Sequence, residues 1–542
     1  MNTIRNTYIQ QHTYSQKMII NYNGEIHDTH AFDWEFMSEG GKHAIFAFNP
    51  KRRMRDDDFF KAKVLRIEKD AFQFRTNALK PNKKGDSKGE DEDDNDAVED
   101  ANCPHLSLFR TLFEATGSEQ HNMNIYVDHP IRIELDGSFL SDLKHIAIKS
   151  GKILHSRQTD WDMESCTVPS TKTFTMTSTS TSVELLPNYR TPNAISVEIK
   201  PKAGYLAVSP LVHPNHRVKH HISRFQILQE LNYEGIISKG WNKGSELGLN
   251  EMSRYDPLDL FSCDIERVRR AIGALFDHPQ NNLSIYFGDH LLHSREKGLG
   301  LTSLDDNSGD CNFFLNCDWI IENIFGDIAH TDIPSNDQNR RSKVNLEKEL
   351  GDALSEILIR DPFLKQLLDL QKQFDILDVD GAILVYNRLV SLCGGCNTRA
   401  EELIDSTDNF DSKDDFGHMP SQQLADLIGF IKCESATTSS QENTETLYTQ
   451  GKELVTNLSV NDCTFLLRNW LRSLAVCDIS FFVVIKPFKD NVDNEKMQDI
   501  QLHSGKMLQY VIKVVDYDLK PAKKLRNREK SESKIALHKS NY

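Results

Sequence analysis

The sequence predicts an α+β protein of two lobes, a small β-rich one followed by a larger one of mixed helices and strands. Three observations carry this. β-like runs crowd the first 200 residues, helical periodicities dominate the remainder, and 542 residues are too many for one small core. The lobes are expected at 20–187 and 188–542, with polar insertions at 80–101 and 167–182.

His43–Phe48, Ala62–Ile67, Asn124–Val127 and Ile195–Ile199 are short runs rich in apolar and aromatic residues and read as strands. Ile265, Val268, Ile272, Leu275 and Phe276 recur at helical spacing, as do Leu346, Leu350, Leu354, Ile357 and Leu358. Ile479–Ile485 and Val511–Val515 return to β-like runs. Four stretches read as inserts or linkers. Lys80–Ala101 is almost wholly charged and polar and is expected to be disordered. Thr167–Ser182 is a Thr/Ser tract. Asp305–Val344 is polar apart from an apolar patch at Phe313–Phe325, and Cys433–Leu447 is a further polar loop. No internal repeat is found.

The net charge of −16 argues against a nucleic-acid or anionic-membrane binder. The distribution qualifies the sum. Ile199–Gln229 contains no Asp or Glu, yet holds Lys200, Lys202, Arg217, Lys219, Arg224, His213, His216, His220 and His221. Near the end, Lys520, Lys523, Lys524, Arg526, Arg528 and Lys530 face only Glu529. Two concentrated basic patches in an acidic chain point to a focused anion site, or to a solvated loop and a loose tail. No apolar run of about 18 residues offers a membrane span. The polar N-terminus lacks the apolar core of a signal peptide. Ten scattered cysteines suit a reducing compartment. A cytoplasmic or nuclear monomer is expected.

Four motifs carry chemistry. In Glu39-Gly40-Gly41-Lys42, before the strand at His43, a glycine pair either lets backbone N–H groups approach phosphate or makes a plain turn. Arg66, on the next strand, either pairs with nucleotide phosphates or is an exposed strand cation. In Val197–Tyr205, strand alternation puts Glu198, Lys200 and Lys202 on one face. Ammonium groups about 7 Å apart suit two phosphates of a polyanion. Pro201 marks an edge strand or a strand end, so a charged solvent face is the other reading. In Val514–Pro521 an apolar strand runs into Asp516, Asp518 and Lys520, where a carboxylate is placed either for Mg²⁺ or for a turn. Asp478, before Ile479–Ile485, either serves as a general base or starts a strand. Cys393-Gly-Gly-Cys396 has no second cysteine pair, and Asp378-Val-Asp380-Gly381 lacks the rest of a calcium loop. Gly240–Gly244 is not a phosphate loop, and no Glu stands between His216 and His220 as zinc proteases require.

Taken in order, Glu198–Tyr205 (EIKPKAGY), Tyr255–Ser262 (YDPLDLFS), Pro279–Asn282 (PQNN), Asp378–Val390 (DVDGAILVYNRLV) and Asp516–Pro521 resemble the inositol-pentakisphosphate 2-kinase family. The likeness is strongest from about 194 to 288. It implies an inositol-phosphate kinase fold with a small N-lobe and a larger C-lobe. It also implies transfer of the ATP γ-phosphate to the 2-hydroxyl of inositol 1,3,4,5,6-pentakisphosphate. By the same resemblance Gly40, Gly41, Lys42 and Arg66 would bind nucleotide phosphates, and Glu184–Asn188 would be the hinge offering backbone to adenine. Lys200 and Lys202 would hold phosphates, Lys200 at the catalytic centre. Asn281, Asn282, Lys520, Lys524, Arg528 and, more loosely, Arg157 would face the inositol phosphate. Asp478 would be the catalytic base and Asp516 the Mg²⁺ ligand. The chain departs from the family at Leu228 and Asn232, where a His and a Lys are usual; Lys239 or Lys243 would be the substitutes. Lys524 and Arg528 fall near an Arg and an aromatic, and Cys477 where a Lys is common. Leu384 replaces one histidine of the plant zinc site, leaving His418 beside Cys393 and Cys396, so the ligand count argues against a structural zinc. The second reading is a binding protein of the same fold with weakened turnover; the third is a scaffold or nucleic-acid-associated protein using the basic patches, against which the net charge speaks.

Overall fold

The computed structural model describes residues 17–22, 25–39, 43–49, 60, 63–68, 126–128, 131–135, 137–150, 181–238, 252–294, 317–326, 338–406, 421–435, 444–488, 497–516 and 519–538. The described residues form two compact units, drawn from Met1–Glu99 with Asp128–Tyr189, and from Asp100–Val127 with Arg190–Tyr542. The insert at 80–101 lies outside the described residues, as does all of the Thr/Ser tract except Thr181 and Ser182.

The first unit contains a hairpin of β1 (Lys17–Tyr22) and β2 (Glu25–His30). Its main sheet joins β3 (Trp34–Glu39), β4 (His43–Phe48), β5 (Lys63–Glu68), β6 (Ile131–Leu135) and β7 (Thr181–Pro187) in the order β3-β4-β5-β7-β6. All neighbours are antiparallel. β4 alternates half-buried and buried residues, as a sheet with one face on a core requires. Trp34, Phe36, Phe46 and Phe60 fill that core, closed by Phe139, Leu140 and Leu143 of the helix Gly137–Lys149.

The second unit is built on β8 (Ile195–Ile199), β9 (Leu283–Phe287), β10 (His290–His293), β11 (Ser480–Pro487), β12 (Gln498–Gln501) and β13 (Met507–Asp516), in the order β10-β9-β8-β11-β13-β12. Every pairing is again antiparallel. β11 is buried from Ser480 to Ile485, which is why its sequence is one apolar run rather than an alternation. Helices Ile265–Asp277, Gln338–Arg360 and Phe363–Phe374 supply Val268, Ile272, Leu275, Leu350, Leu354, Ile357 and Leu367 to the core beneath it. A second, helical core gathers Asp378–Leu392, Asn397–Asp405, Gln422–Glu434, Thr444–Thr456 and Val460–Cys477 around Leu389, Leu427, Leu466 and Trp470.

Three expectations need correction. Asp305–Val344 is not all linker. Cys317–Phe325 is a helix that buries Ile320, Ile321, Ile324 and Phe325, and the next helix begins at Gln338. The apolar patch there has helical spacing, which its polar flanks obscure. The polar stretch Cys433–Leu447 is entered by helices from both sides, ending at Glu434 and restarting at Thr444. Tyr126 and Val127 are not in a strand; they pack into the second unit, where the Tyr126 hydroxyl donates to Asp361 Oδ1 at 2.6 Å. Of the two readings of Pro201, an edge strand or a strand end, the second holds: β8 lies between β9 and β11 and stops at Ile199, so Pro201 falls beyond the ladder where its missing N–H costs nothing.

Candidate active site

Topology brings four strand ends together. β8 and β13 both run antiparallel to β11, with Phe481 opposite Ile199 and Ser480 opposite Asp516. Ile199 also faces Leu283 at the start of β9. The chain leaving β8 and β13 therefore meets the chain entering β9 and β11 at one end of the sheet. Lys200, Asp516, Asn282 and Asp478 stand there. Asp478 is the C-cap residue of the helix Val460–Cys477, two residues before β11.

The loop after β8 is held by its backbone. The Lys200 N–H donates to Asn282 O at 2.9 Å, and the Asn282 side-chain amide donates back to Lys200 O at 2.8 Å. The Tyr255 hydroxyl donates to Pro201 O at 2.7 Å. Gln371, fully buried, accepts from Gly204 N and donates to Lys202 O, both at 2.9 Å. Lys202 adopts φ +64°, a left-handed conformation that a lysine keeps only when its surroundings fix it. At Gly204 a Cβ would lie 2.2 Å from Phe261 Cδ2, so no side chain fits without moving that ring. The Tyr205 hydroxyl donates to Asp375 Oδ2 at 2.5 Å and lies 3.8 Å from Cys477 Sγ, tying the loop to the helix end beside Asp478. Tyr255, Phe261 and Asn282 thus serve to set the lysine loop.

Three lysines converge on two carboxylates. Lys200 Nζ lies 2.9 Å from Asp516 Oδ2, Lys202 Nζ 2.9 Å from Asp478 Oδ1, and Lys520 Nζ 3.0 Å from Asp478 Oδ2. The expected single face for Glu198, Lys200 and Lys202 does not form, because the strand ends before Lys200 and the left-handed turn re-aims Lys202. Burial alone would raise the Asp478 pKa, but Lys202 and Lys520 more than offset it and hold the carboxyl well below the usual range. Burial likewise opposes the charge on Lys200, yet Asp516 outweighs it and raises the ammonium pKa. Asp478 keeps 42% and Asp516 35% of its side-chain surface open, so both are reachable by a ligand. Asp516, with Lys200 on its Oδ2, is a part-exposed hard oxygen donor at a strand end, the donor type that Mg²⁺ takes.

The other sequence candidates fall in several places. Asn281 is exposed, while Asn282 is buried and spends its amide N–H on Lys200. Lys524 is exposed at the start of the helix Lys524–His538. One turn on, Arg528 is half-buried; burial and then Arg224 depress its pKa, while Asp478 pulls it up. In the first unit Arg66 is buried and donates to Glu184 Oε2 at 2.8 Å, its cross-strand partner, with His43 Nδ1 at 3.2 Å. Asn188, just past β7, is half-buried. Gly40, Gly41, Lys42 and Arg157 lie outside the described residues, as do Lys239, Lys243 and His418. Leu228 packs with Val218, Ile227 and Ile535, and Asn232 is exposed. Cys393 is buried and Cys396 exposed.

The basic stretch 199–229 does not act as one anion patch. Lys219 is buried and donates to Asp378 Oδ1, to Asp380 Oδ2 at 2.8 Å and to Glu532 Oε2 at 2.9 Å. Arg224 binds Glu532 at 2.6 Å and His216 binds Asp380 at 2.8 Å. His216, Asp380 and Glu532 offer ligand atoms within 4.8 Å of one another, but the Lys219 ammonium already supplies their cation. The Asp378/Asp380 pair, too sparse for a calcium loop, is the counter-charge of a lysine. Gln371 and Asp375 escape the sequence reading. A usable signal exists for Gln371, a polar residue on the buried face that Leu367, Leu370 and Phe374 define.

Comparison with known proteins points to one family. The chain is 33% identical to the inositol-pentakisphosphate 2-kinase of Arabidopsis thaliana over 200 residues, covering 37% of each. It is 30% identical to that of Oryza sativa subsp. indica over 205 residues, covering 38% of each. Against that of Danio rerio it is 37% identical over 100 residues, 18% of each. The matched stretches thus span under two fifths of these relatives' length. The family model described as inositol-pentakisphosphate 2-kinase matches far more, residues 36–534, and on that extent the chain belongs to this family.

Proposed function

We propose that the protein transfers the γ-phosphate of ATP to the 2-hydroxyl of inositol 1,3,4,5,6-pentakisphosphate, giving inositol hexakisphosphate and ADP. The observation that carries this is the convergence of Lys200, Lys202 and Lys520 on Asp478 and Asp516. Such a substrate carries about −1.5 to −2 per phosphate and demands a dense set of cations. Asp478 would take the hydroxyl proton, and the lysines would bind phosphates and stabilise charge as the phosphoryl group moves. Mg²⁺ held by Asp516 would neutralise nucleotide phosphate charge. Arg528 and Lys524 would extend the cationic surface, and Asn282 would keep Lys200 aimed. We read the two units as the N- and C-lobes of an inositol-phosphate kinase fold, with Arg66, Glu184 and Asn188 contributing to nucleotide binding from the first. We place the protein in a reducing compartment, cytosol or nucleus, on the ten scattered cysteines of its sequence. Among the described residues no helix is long and apolar enough to cross a membrane.

The second reading, a binding protein with weakened turnover, is favoured by Leu228 and Asn232, which offer no cation from the helix Arg224–Ser238. Incubation with γ-labelled ATP and inositol pentakisphosphate separates the two. Labelled hexakisphosphate is expected. Tight binding of the pentakisphosphate without label transfer would replace the kinase reading with the second one.

A further inference from the structure

The helix Phe363–Phe374 meets the loop after β8 at two points one turn apart. Gln371 binds Gly204 and Lys202. Asp375, the C-cap residue, accepts from the Tyr205 hydroxyl through Oδ2 at 2.5 Å, and its Oδ1 accepts from Asp378 N at 3.0 Å. A carboxylate at a helix C-terminus opposes the helix dipole, so helix stability does not explain an acid there. The Tyr205 oxygen also lies 3.8 Å from the Sγ of Cys477, the last residue of the helix that delivers Asp478. One hydroxyl therefore joins three elements: the lysine loop, the end of Phe363–Phe374 and the end of Val460–Cys477.

These groups are enclosed and do no acid–base chemistry on the substrate themselves. Burial and then Asp375 push the Cys477 thiol up to about 12, and the same two causes hold the Tyr205 hydroxyl well above its ordinary value. Asp375 is faced by Tyr205 from the loop, Asp378 from the next helix, Lys219 from Pro214–His220 and Cys477 from Val460–Cys477. Resting on the kinase reading above, we propose that Tyr205 and Asp375 are positioning residues for phosphoryl transfer, the bond between them holding the Lys202 loop and the Asp478 helix end in register. The tie is tightest when Asp375 is ionised, because a charged acceptor binds a hydroxyl about twice as strongly as a neutral one. Burial and then Asp378 push the Asp375 carboxyl up to about 6, so the tie slackens as pH falls through that value. A proton on Asp375 replaces one of its acceptor sites with a donor.

The test is kcat/KM for inositol pentakisphosphate in the parent and in Tyr205→Phe, which keeps the ring and removes the hydroxyl. Substrate phosphates titrate in the same range, with a second pKa of about 6, and the ratio of parent to variant cancels their contribution. At about pH 7.5 the variant should lose roughly tenfold, with KM for the inositol phosphate higher, kcat lower and KM for ATP within about twofold of the parent. At about pH 5 the ratio should shrink to within about threefold, since the parent has then lost the same tie. Asp375→Asn should reproduce the loss at the higher pH, and adding Tyr205→Phe to it should cost no more than about twofold further. A merely structural role lowers the active fraction by one factor at every pH and leaves KM alone. A ratio that stays constant with pH, or losses that multiply in the double variant, would overturn the inference and leave the kinase reading standing. Absence of turnover in the parent would sink that reading, and this inference with it.

Discussion

Removing the Gln371 side chain should cost both stability and substrate affinity, because one buried amide sets the turn that aims Lys202. Gln371 is completely inaccessible and makes two hydrogen bonds of 2.9 Å, to Gly204 N and Lys202 O. Gln371→Leu keeps the volume nearly constant and leaves the buried Gly204 N–H and the part-buried Lys202 C=O without partners. At about 1–3 kcal/mol for each orphaned group, the loss is on the order of 2–6 kcal/mol. Left-handed Lys202, at φ +64°, adds strain of about 1–3 kcal/mol that the clamp currently opposes. Without it the turn should relax toward an extended conformation and carry the ammonium away from Asp478. The expected phenotype is a lower denaturant midpoint together with an increase of roughly tenfold in KM for inositol pentakisphosphate, the equivalent of about 1.4 kcal/mol. KM for ATP should change little. Gln371→Glu separates the two bonds: it can still accept from Gly204 but turns a carboxylate oxygen toward the Lys202 carbonyl. If Gln371→Leu lowers the midpoint and leaves KM for the inositol phosphate where it was, the clamp does not aim Lys202 and the reasoning fails.

Further outcomes are expected. Asp478→Asn should abolish turnover while ATP still binds, and turnover within about threefold of the parent would remove it from the base role. Gly204→Ala forces a methyl against the Phe261 ring and should destabilise the chain by about 1–3 kcal/mol; an unchanged midpoint would mean the ring moves freely. Lys219→Met strands Asp378, Asp380 and Glu532 as buried carboxylates and should cost about 3–5 kcal/mol, read as loss of soluble protein or a large fall in midpoint. The Asp375 carboxyl is pushed up to about 6, first by burial and then by Asp378. Its folded form takes up a proton before its unfolded form does, so this group adds stability as pH falls from above 6 toward 4. Denaturation midpoints of Asp375→Asn against the parent between pH 7 and 5 should show that limb flattened, and parallel curves would refute the assignment.

Much of the fold was legible because burial leaves a period in the sequence. The face Val268, Ile272, Leu275, Phe276 and the face Leu346, Leu350, Leu354, Ile357 read as helices and are helices with those residues buried. The run at Ile479–Ile485 reads as a strand and is one, at the centre of the larger sheet. The misreadings share a cause. Cys317–Phe325 is short and lies between polar stretches, so the composition of its flanks outweighed its own spacing. Tyr126 and Val127 look β-like because they are bulky and buried, yet their burial comes from packing against Phe363 and bonding Asp361 rather than from a ladder.

The candidate site was legible residue by residue but not pair by pair. Asp478, Asp516, Lys200, Lys202 and Lys520 can each be singled out from a strand end or a basic cluster, yet their pairings span sequence separations of 276 and 316 for Lys202–Asp478 and Lys200–Asp516. No local pattern encodes such a partner; only the antiparallel order β8-β11-β13 does. Charge counting errs for the same reason. In Ile199–Gln229 it gives Lys219 and Lys202 equal weight as anion ligands. The structure gives Lys219 three buried carboxylates, and Lys202 one half-exposed carboxylate that it shares with Lys520. A buried lysine whose charge is already neutralised has little left to offer a phosphate, whereas a lysine on a half-exposed partner can change hands. The number of cations in a stretch therefore says less about anion binding than how many of their partners a ligand can displace, and here that distinction selects Lys200, Lys202 and Lys520.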